Sequence, residues 1–479
     1  MIFESLLSPF LENRPVAVMI RACLECAFAD SQIDDLFARV ATTQYYRQLT
    51  FSSMVDLVAK VVTRRYSSIH AAYRAEPTRL AASLNSIYEK LQCTELALSE
   101  TLVHHSAQQL GAVVQGWKPH PQPFPGLKLK IVDGNYLAGT DHRLQPTRNR
   151  GAAALPGMAV VVQDHGTGLI TNVCLQSDAY TNERALFTRL LPLFKADEIV
   201  VGDRNFCVEH FLAELTHQNS YFVIRHHAGT ALNHPSEEHF CGKGPTGDVY
   251  EQSAQIGSQT YRVIRIELTQ PTQQGETDIR VLTNLPANRA TALDVAQSYR
   301  MRWTIEATFL ELTRSVTGEL PGLGHPKAAL FAFSLALCAC NALRVAERAF
   351  ELSQSEAHPG EEVSSYFMMN ELIAAYDGME VTIPEKVWGE LCWIGPQELG
   401  AWLLKIAGMA TWSKYRKSKR KETDPKAKKV GERGSPHFST QRALEDDQGR
   451  RKIQRKAKKE RRRFRTLEHA LRVREAKTA

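Results

Sequence analysis

Apolar residues recur at three- and four-residue steps through roughly the first 115 residues. Two clear cases are "SSMVDLVAKVVTRRY" and "RLAASLNSIYEKLQ". This spacing places one apolar stripe along an α-helix, so it predicts a helical N-terminal region. The Pro-rich segment "KPHPQPFPG" (residues 118–126) then interrupts the pattern and marks a boundary.

After this segment the pattern alternates as in β-strands. "LKLKIVDG" predicts a strand that ends at Asp133, and "MAVVVQDHGTGLITNVCLQ" predicts a hairpin. "NERALFTRLLPLF" is typical of an amphipathic helix. "DEIVVGDRNF" predicts a short strand that ends at Asp203. Strand, hairpin, helix and strand in this order indicate an α/β fold with a mixed sheet.

The later part of the chain changes texture twice. Residues 228–290 are rich in Gly, Thr and Gln around strands such as "QTYRVIRIEL", which predicts a β-rich insertion. The run "AALFAFSLALCACNALRVA" is the one membrane candidate. It holds Ser and Asn and includes Arg344, so we expect a buried core helix. Residues 350–410 look helical, with three tryptophans expected as core or interface anchors: Trp388, Trp393 and Trp402.

The stretch "SYRMRWTIEATFLELTRS" (residues 298–315) predicts one amphipathic helix. At about 100° per residue, Tyr299, Arg302 and Glu306 share an edge beside the apolar stripe. One interpretation is an exposed face with an i,i+4 Arg–Glu pair, worth a few tenths of a kcal/mol. The other is that the edge serves a site to which other parts of the chain contribute.

Charge is unevenly distributed within the overall formal charge of +7. Residues 411–479 hold 25 Lys and Arg against 9 Asp and Glu, a net of +16, whereas the other residues hold 34 against 43, a net of −9. The basic tail is either a solvated extension or an arm that binds phosphate. Nine cysteines lack a pairing pattern, which suits structural thiols in a reducing compartment. No secretory signal is apparent, so we expect a soluble, cytoplasmic protein.

Two aspartates, each beside a glycine, follow β-rich runs: Asp133 in "IVDGN" and Asp203 in "VVGDRN". Either alone could be a turn-former or a helix N-cap. If Glu306 joins them at the rim of the sheet, three carboxylates would repel one another unless divalent cations neutralise them. Oxygen-only ligands favour Mg²⁺, or Mn²⁺ in its place, over zinc. Two such ions about 4 Å apart suit phosphodiester chemistry.

These motifs, with "YRMRWTIEATF", resemble the DDE transposases of the insertion-sequence-four family. Tyr299, Arg302 and Glu306 match the family's Tyr-Arg-Glu-Lys signature in identity and spacing. The resemblance implies an RNase H-like catalytic domain, with Asp133, Asp203 and Glu306 as catalytic metal ligands. The domain organisation is then expected as follows: a helical, DNA-binding region at 1–118, the catalytic domain at 119–345, a helical region at 346–410 and the basic tail at 411–479.

The resemblance also implies DNA contacts. Tyr299 and Arg302 would meet the backbone near the cleaved end, and Arg204 and Asn205 would orient Asp203 or the DNA. A polar loop after Asp133 offers three further arginines, as DNA contacts or as an ordinary solvated loop: Arg143, Arg148 and Arg150. In the N-terminal region, two basic residues are available for DNA: Arg64 and Arg65.

Two departures from the family pattern stand out. The signature lysine is replaced by Thr313, and the neighbouring Arg314 lies about 100° farther round the helix. No Trp lies between Trp117 and Trp303, so Tyr250, Tyr261 or another aromatic residue would have to stack a flipped base if cleavage passes through a hairpin.

The expected activity is cut-and-paste transposition. The enzyme would cut DNA at terminal inverted repeats and join the 3′-hydroxyls to target DNA, as a homodimer in the DNA-bound synapse and without a membrane partner. One alternative is a catalytically impaired, transposase-derived DNA-binding protein. A third hypothesis, an RNA-binding protein with a basic arm, depends on the tail alone.

Overall fold

The structure is a computed structural model, and it describes residues 2–44, 49–76, 80, 82–137, 157–177, 183–272, 275–320, 323, 325–418, 449–450 and 452–454. The loop arginines predicted as DNA contacts lie outside these residues: Arg143, Arg148 and Arg150. Nearly all of the predicted basic tail also lies outside them.

Nine strands form one mixed sheet in the order β3-β2-β1-β4-β5-β9-β8-β7-β6. Their bounds are β1 (Lys128–Tyr136), β2 (Met158–Asp164), β3 (Ile170–Gln176), β4 (Glu198–Gly202), β5 (Tyr221–Arg225), β6 (His239–Gly244), β7 (Gly247–Ile256), β8 (Gln259–Leu268) and β9 (Asp278–Thr283). β1, β2 and β3 are antiparallel neighbours, whereas β4 and β5 run parallel to β1. The predicted α/β fold with a mixed sheet is thereby confirmed, and this strand order is consistent with an RNase H-like fold.

The β-rich insertion extends the same sheet. β9 pairs antiparallel with β5, and β8, β7 and β6 follow outward. The predicted insertion therefore continues the same sheet, from the strand next to β5 to the far edge.

The α-helices of the described residues have the following bounds: α1 (Ile2–Asn13), α2 (Pro15–Ala27), α3 (Asp30–Val40), α4 (Phe51–Val62), α5 (Ile69–Ala75), α6 (Leu84–Cys93), α7 (Leu96–Val113), α8 (Phe187–Leu190), α9 (Glu209–His217), α10 (Ala292–Arg300), α11 (Trp303–Arg314), α12 (Pro326–Gln354), α13 (Ser365–Thr382), α14 (Glu385–Trp393), α15 (Pro396–Met409) and α16 (Trp412–Tyr415).

The sheet separates two apolar clusters because its central strands are buried on both faces. Along β1, Leu129 and Ile131 join the larger cluster, which contains α7, α11 and α12, whereas Val132 joins the smaller one with Phe187 and Phe206. Alternation along the strand produces this division. Odd-numbered side chains of β1 therefore face α11, and even-numbered ones face the α8–α9 layer.

The larger cluster runs from the N-terminal helices through the sheet to the C-terminal helices. α12 lies at its centre and is the apolar run singled out in the sequence. It is long and apolar enough to cross a membrane by length and composition, and 94% of its most apolar window is buried inside the protein. The packing agrees with the expected core helix.

The expectation of one helix is wrong, and that of three tryptophan anchors is met in part. "NERALFTRLLPLF" forms a 3₁₀ turn, the single helical turn α8 and a second 3₁₀ turn, in place of one helix. Pro192 lies in the last of these and lacks the N–H that a continuous helix needs. Of the three tryptophans expected as core or interface anchors, Trp388 is buried and Trp402 packs partly against the core, whereas Trp393 is 86% exposed, so for it only the interface role stays a prediction.

The basic pair that follows α4 differs in exposure: Arg64 is exposed, whereas Arg65 is largely covered. Arg65 is buried in ion pairs with Asp377 and Glu380. Arg64 donates to the main-chain carbonyl of Arg314, 2.9 Å away. Both guanidinium groups therefore connect the N-terminal helices to later elements of the chain.

Candidate active site

Asp133 lies within β1, not at its end as the sequence suggested. The strand continues to Tyr136 because β2 pairs with it throughout, up to Tyr136↔Met158. Its parallel pairing with β4, in contrast, stops at Ile131↔Val201. Asp133 thus lies where β1 projects beyond its parallel neighbour, which is the carboxyl-end rim of the central strands.

Asp203 follows the last residue of β4 directly, as predicted. Its carboxylate accepts a hydrogen bond from the backbone N–H of Asn205 at 2.8 Å and caps the 3₁₀ turn Arg204–Phe206. Asp203 is therefore both an N-cap and a residue of the rim; the two interpretations do not exclude each other. The cap fixes the direction in which this carboxylate leaves the sheet.

The helix expected over residues 298–315 is broken in two. α10 ends at Arg300 and α11 begins at Trp303, and i→i+3 hydrogen bonds span the junction: Arg302 N donates to Tyr299 O at 3.1 Å, and Ile305 N to Arg302 O at 3.2 Å. The turn is tighter than an α-helix, so apolar periodicity continues through it. Arg302 lies at this junction.

Arg302 joins the acids of the sheet to the acid of the helix. Its Nη2 lies 2.6 Å from Oε1 of Glu306, and its Nη1 lies 3.6 Å from Oδ2 of Asp133. Arg302 is 14% exposed, whereas Glu306 is 52% exposed at the surface of the cluster. Among the described residues, the buried Nε of Arg302 has no hydrogen-bond partner.

Like charges crowd this rim. The pKa of Asp133 is raised to about 7, mainly by burial and then by the nearby Asp203, while Arg302 opposes the rise. Glu306 adds a smaller increase. The pKa of Asp203 is raised by burial, against the hydrogen bond from Asn205 and the positive charge of Arg302. The charges of Asp203 and Glu306 therefore both raise the pKa of Asp133, and the guanidinium of Arg302 lowers it.

Tyr299 does not lie on an exposed edge as expected. It is 8% exposed and packs in the larger apolar cluster. Burial raises the pKa of its hydroxyl, and Arg302 lowers that pKa by charge and by a side-chain hydrogen bond. In this structure Tyr299 lies beneath Arg302, where it supports the guanidinium.

The other predicted contact residues are more open. Arg204 is about half exposed, with Nη1 4.0 Å from Oε1 of Glu276 in the insertion. Arg314 and Thr313 are exposed at the last turn of α11. The Thr313 hydroxyl donates to the Leu310 carbonyl at 2.8 Å, so its side chain is satisfied locally.

Sequence reasoning missed a fourth acid at this rim, Glu183. It begins the 3₁₀ turn Glu183–Leu186 and is 6% exposed. Its pKa is raised to about 7, mainly by burial and then by the charge of Asp203, while a side-chain hydrogen bond from Asn205 opposes the rise. The one available signal was Gly134, because a glycine inside a strand often marks a close approach.

The donors at the rim fit a hard divalent cation. All are carboxylate oxygens, the set preferred by Mg²⁺ and Mn²⁺. The guanidinium of Arg302 already lies between Asp133 and Glu306, the position in which a cation balances both charges. Among the described residues, the one group of three His, Cys, Asp or Glu side chains whose ligand atoms all lie within 4.8 Å of one another is His239, Cys241 and Glu251 in the insertion, so the rim acids are more widely spaced than that in this structure. There the Glu251 carboxylate is held by Arg262, with Oε1 2.5 Å from Nε.

The chain was compared with known protein families, sequences and structures. A family model described as "Transposase DDE domain" matches residues 125–340. No curated protein sequence matches the chain. Among solved structures, the chain is similar to a piggyBac transposase in a synaptic complex with hairpin DNA, at 10% identity and a TM-score of 0.41. That similarity covers 77% of this chain and 83% of the other. The family match contains every acid of the cluster, and it supports the interpretation of this chain as a DDE transposase.

Proposed function

We propose that the protein is a metal-dependent transposase of the insertion-sequence-four type. It cleaves DNA at the ends of its element and joins the freed 3′-hydroxyls to target DNA. The observation that carries this proposal is the single guanidinium of Arg302, which contacts Asp133 of the sheet and Glu306 of α11 beside the capped Asp203. Acids from distant segments of the chain thereby lie around one guanidinium.

Asp133, Asp203 and Glu306 would hold two Mg²⁺ ions, or Mn²⁺ in their place. When bound, these ions supply Lewis-acid activation of a water or 3′-hydroxyl and neutralise charge at the phosphate. The raised pKa of Asp133 supports this assignment, because a crowded carboxylate gains most from a bound cation. The protein's own part is to fix the acids on a rigid sheet rim and a packed helix.

Arg302 would exchange partners during the reaction cycle. Without metal it balances the charge of Asp133 and Glu306. Once cations neutralise those acids, the guanidinium is free to contact a DNA phosphate, for which its planar donor set is suited. Tyr299, buried beneath it, would hold the guanidinium at the rim rather than contact DNA first.

DNA would approach over the open side of this cluster. Trp303 is 57% exposed, directly after Arg302, and offers a ring on which a base can stack. The two aromatics considered for the insertion suit this role less well: Tyr261 is buried, and the Arg265 guanidinium lies 4.1 Å from the Tyr250 ring centroid. Arg204 and Arg314 are exposed cations for the phosphate backbone.

The wider assembly follows from this chemistry. Two element ends with terminal inverted repeats would be held by two copies of the chain in a synapse. We place DNA binding in the N-terminal helices and in the basic residues 411–479, and catalysis in residues 119–345. The net charge of +16 in the tail suits sequence-independent binding of DNA phosphates.

A cleavage assay tests the proposal. The purified chain, its element-end DNA and Mg²⁺ should give cuts at the repeat termini, and Asp203→Ala should abolish them while DNA binding persists. One observation favours a second candidate, an impaired DNA-binding derivative: Thr313 replaces the family lysine. End-specific binding by the wild-type chain without any cleavage would select that candidate.

A further inference from the structure

Glu183 occupies a position that the three-acid scheme leaves unexplained. It comes from the segment between β3 and β4, yet its carboxylate lies at the rim with Asp133 and Asp203. A buried carboxylate is costly unless something compensates for its lost hydration. Arg184 lowers the pKa of Glu183, but its effect is smaller than the opposite effect of Asp203 or of Asp133.

The local structure makes room for this carboxylate. A Cβ added to Gly134 would lie 2.5 Å from Cδ of Glu183 and would overlap its Oε1. Gly134 lies within β1, where a glycine without a side chain weakens the strand. The Glu183 carboxylate occupies the space that a side chain at position 134 would fill. The glycine beside Asp133 therefore allows the Glu183 carboxylate to pack against the strand; it does not form a turn.

Glu183 also connects the two aspartates. Gly134, which it covers, follows Asp133 directly, and the Asn205 side chain, which donates to it, lies two residues after Asp203. Because Gly134 and Asp133 face opposite sides of β1, Glu183 reaches the rim from the α8–α9 layer. Asp133 and Glu306 reach it from the α11 layer. The acids thus enclose the rim from both faces of the sheet.

We propose that Glu183 is a fourth carboxylate donor of the metal site, which contacts the ion on the Asp203 side directly or through one water. This inference rests on the proposed function. It extends the donor set beyond the three acids of the signature.

The test measures Mn²⁺ binding to the metal-free, full-length chain by electron paramagnetic resonance of the free ion. Glu183→Gln keeps the shape and a hydrogen-bonding oxygen for Asn205 but removes the charge. We expect its Mn²⁺ affinity to fall at least about tenfold, the usual range for donors around a metal. The matched control is Glu198→Gln, a buried acid at the other end of β4, paired with Lys130. It should bind Mn²⁺ like the wild type.

A double-mutant cycle tests the contact between Gly134 and the Glu183 carboxylate. Gly134→Ala should push the Glu183 carboxylate away and weaken Mn²⁺ binding by a similar factor. In a Glu183→Ala background, Gly134→Ala should cause no further loss, since the two changes act on one contact. Additive losses in this cycle would overturn the inference.

The outcomes separate this inference from the proposed function. If the wild type binds Mn²⁺, Asp203→Asn loses it and Glu183→Gln retains full affinity, then only the fourth donor is wrong. If the wild type itself binds no Mn²⁺, the metal site and the fourth donor both fail. Loss in Glu183→Gln, with Glu198→Gln unchanged, supports the inference.

Discussion

Arg302 and Asp133 meet across 169 positions of sequence, with Nη1 of the arginine 3.6 Å from Oδ2 of the aspartate. The same guanidinium lies 2.6 Å from Glu306, one turn later on its own helix. This contact connects the projecting end of β1 to the first turn of α11. It makes the guanidinium the local counter-charge of the acidic cluster.

Removing that counter-charge should expose the repulsion among the acids. We expect Arg302→Gln to lower the free energy of unfolding of the metal-free protein by about 1–3 kcal/mol, since it leaves a buried carboxylate without a partner. Saturating Mg²⁺ should recover most of this loss. Arg314→Gln, an exposed change on the same helix, should alter stability by less than about 0.5 kcal/mol. Urea unfolding with and without Mg²⁺ measures both, and a loss that Mg²⁺ does not reduce would contradict the account.

The acids should also give the metal-free protein a characteristic pH dependence. Folding raises the pKa of Asp133 from 3.8 to about 7, so the folded state binds more protons than the unfolded state between these values. Stability should therefore fall as the pH rises from about 4 to 7, and the full shift corresponds to an upper limit on the order of 4 kcal/mol. Asp133→Asn should flatten this slope. Thermal unfolding across this pH range checks it, and an unchanged slope in Asp133→Asn would rule out this assignment.

Trp303 should matter for DNA and little for folding. Its ring is 57% exposed, so Trp303→Ala should change stability by less than about 0.5 kcal/mol. Loss of one stacked base should weaken binding of element-end DNA by about 1–3 kcal/mol. Trp393→Ala removes another exposed ring, at 86% exposure on α14, and serves as the control. Fluorescence anisotropy would refute the stacking role if both variants bound alike.

Restoring the family's lysine should strengthen contact with DNA. Thr313 is exposed on the face of α11 that also carries Glu306, so Thr313→Lys adds a cation without disturbing the core. We expect binding of cleaved ends to tighten up to about tenfold at low salt, with a steeper salt dependence. The matched change Thr304→Lys, elsewhere on the helix, controls for added charge. Equal gains in both variants would mean that position 313 has no special contact.

The basic tail should contribute sequence-independent affinity for DNA rather than recognition of element ends. A chain ending at residue 418 loses most of the net charge of +16 in residues 411–479. Its DNA binding should weaken and depend less steeply on salt, while preference for element ends remains. Competition titrations with end and random DNA at several salt concentrations measure this. Complete loss of binding would instead favour the hypothesis of a generic nucleic-acid arm.

The sequence predicted the strands and acids that local pattern determines. The β-branched runs before Asp133 and Asp203 predicted two strands, which the structure pairs side by side, and the capped Asp203 follows its strand as expected. The spacing of Arg302 and Glu306 predicted their pairing on one edge. These features depend on periodicities of two or about 3.6 residues, which a sequence displays directly.

Other features depend on partners distant in the chain. β1 extends past Asp133 because β2 pairs with it to the end, and Tyr299 is buried because the larger core covers its side of α10. The junction at Arg302 keeps the apolar periodicity, so the pattern could not reveal it. Glu183 was missed because it reaches the rim by packing over Gly134, 49 positions earlier, and no local sequence pattern connects the two residues.

The central claim is that acids from two strands and one helix share metal ions. Anomalous diffraction from crystals of the protein with Mn²⁺ and an element-end DNA tests it most directly. We expect two manganese peaks about 4 Å apart, which together contact Asp133, Asp203 and Glu306. Peaks that contact only one of these three carboxylates, or manganese bound elsewhere with the cluster still closed by Arg302, would contradict the account.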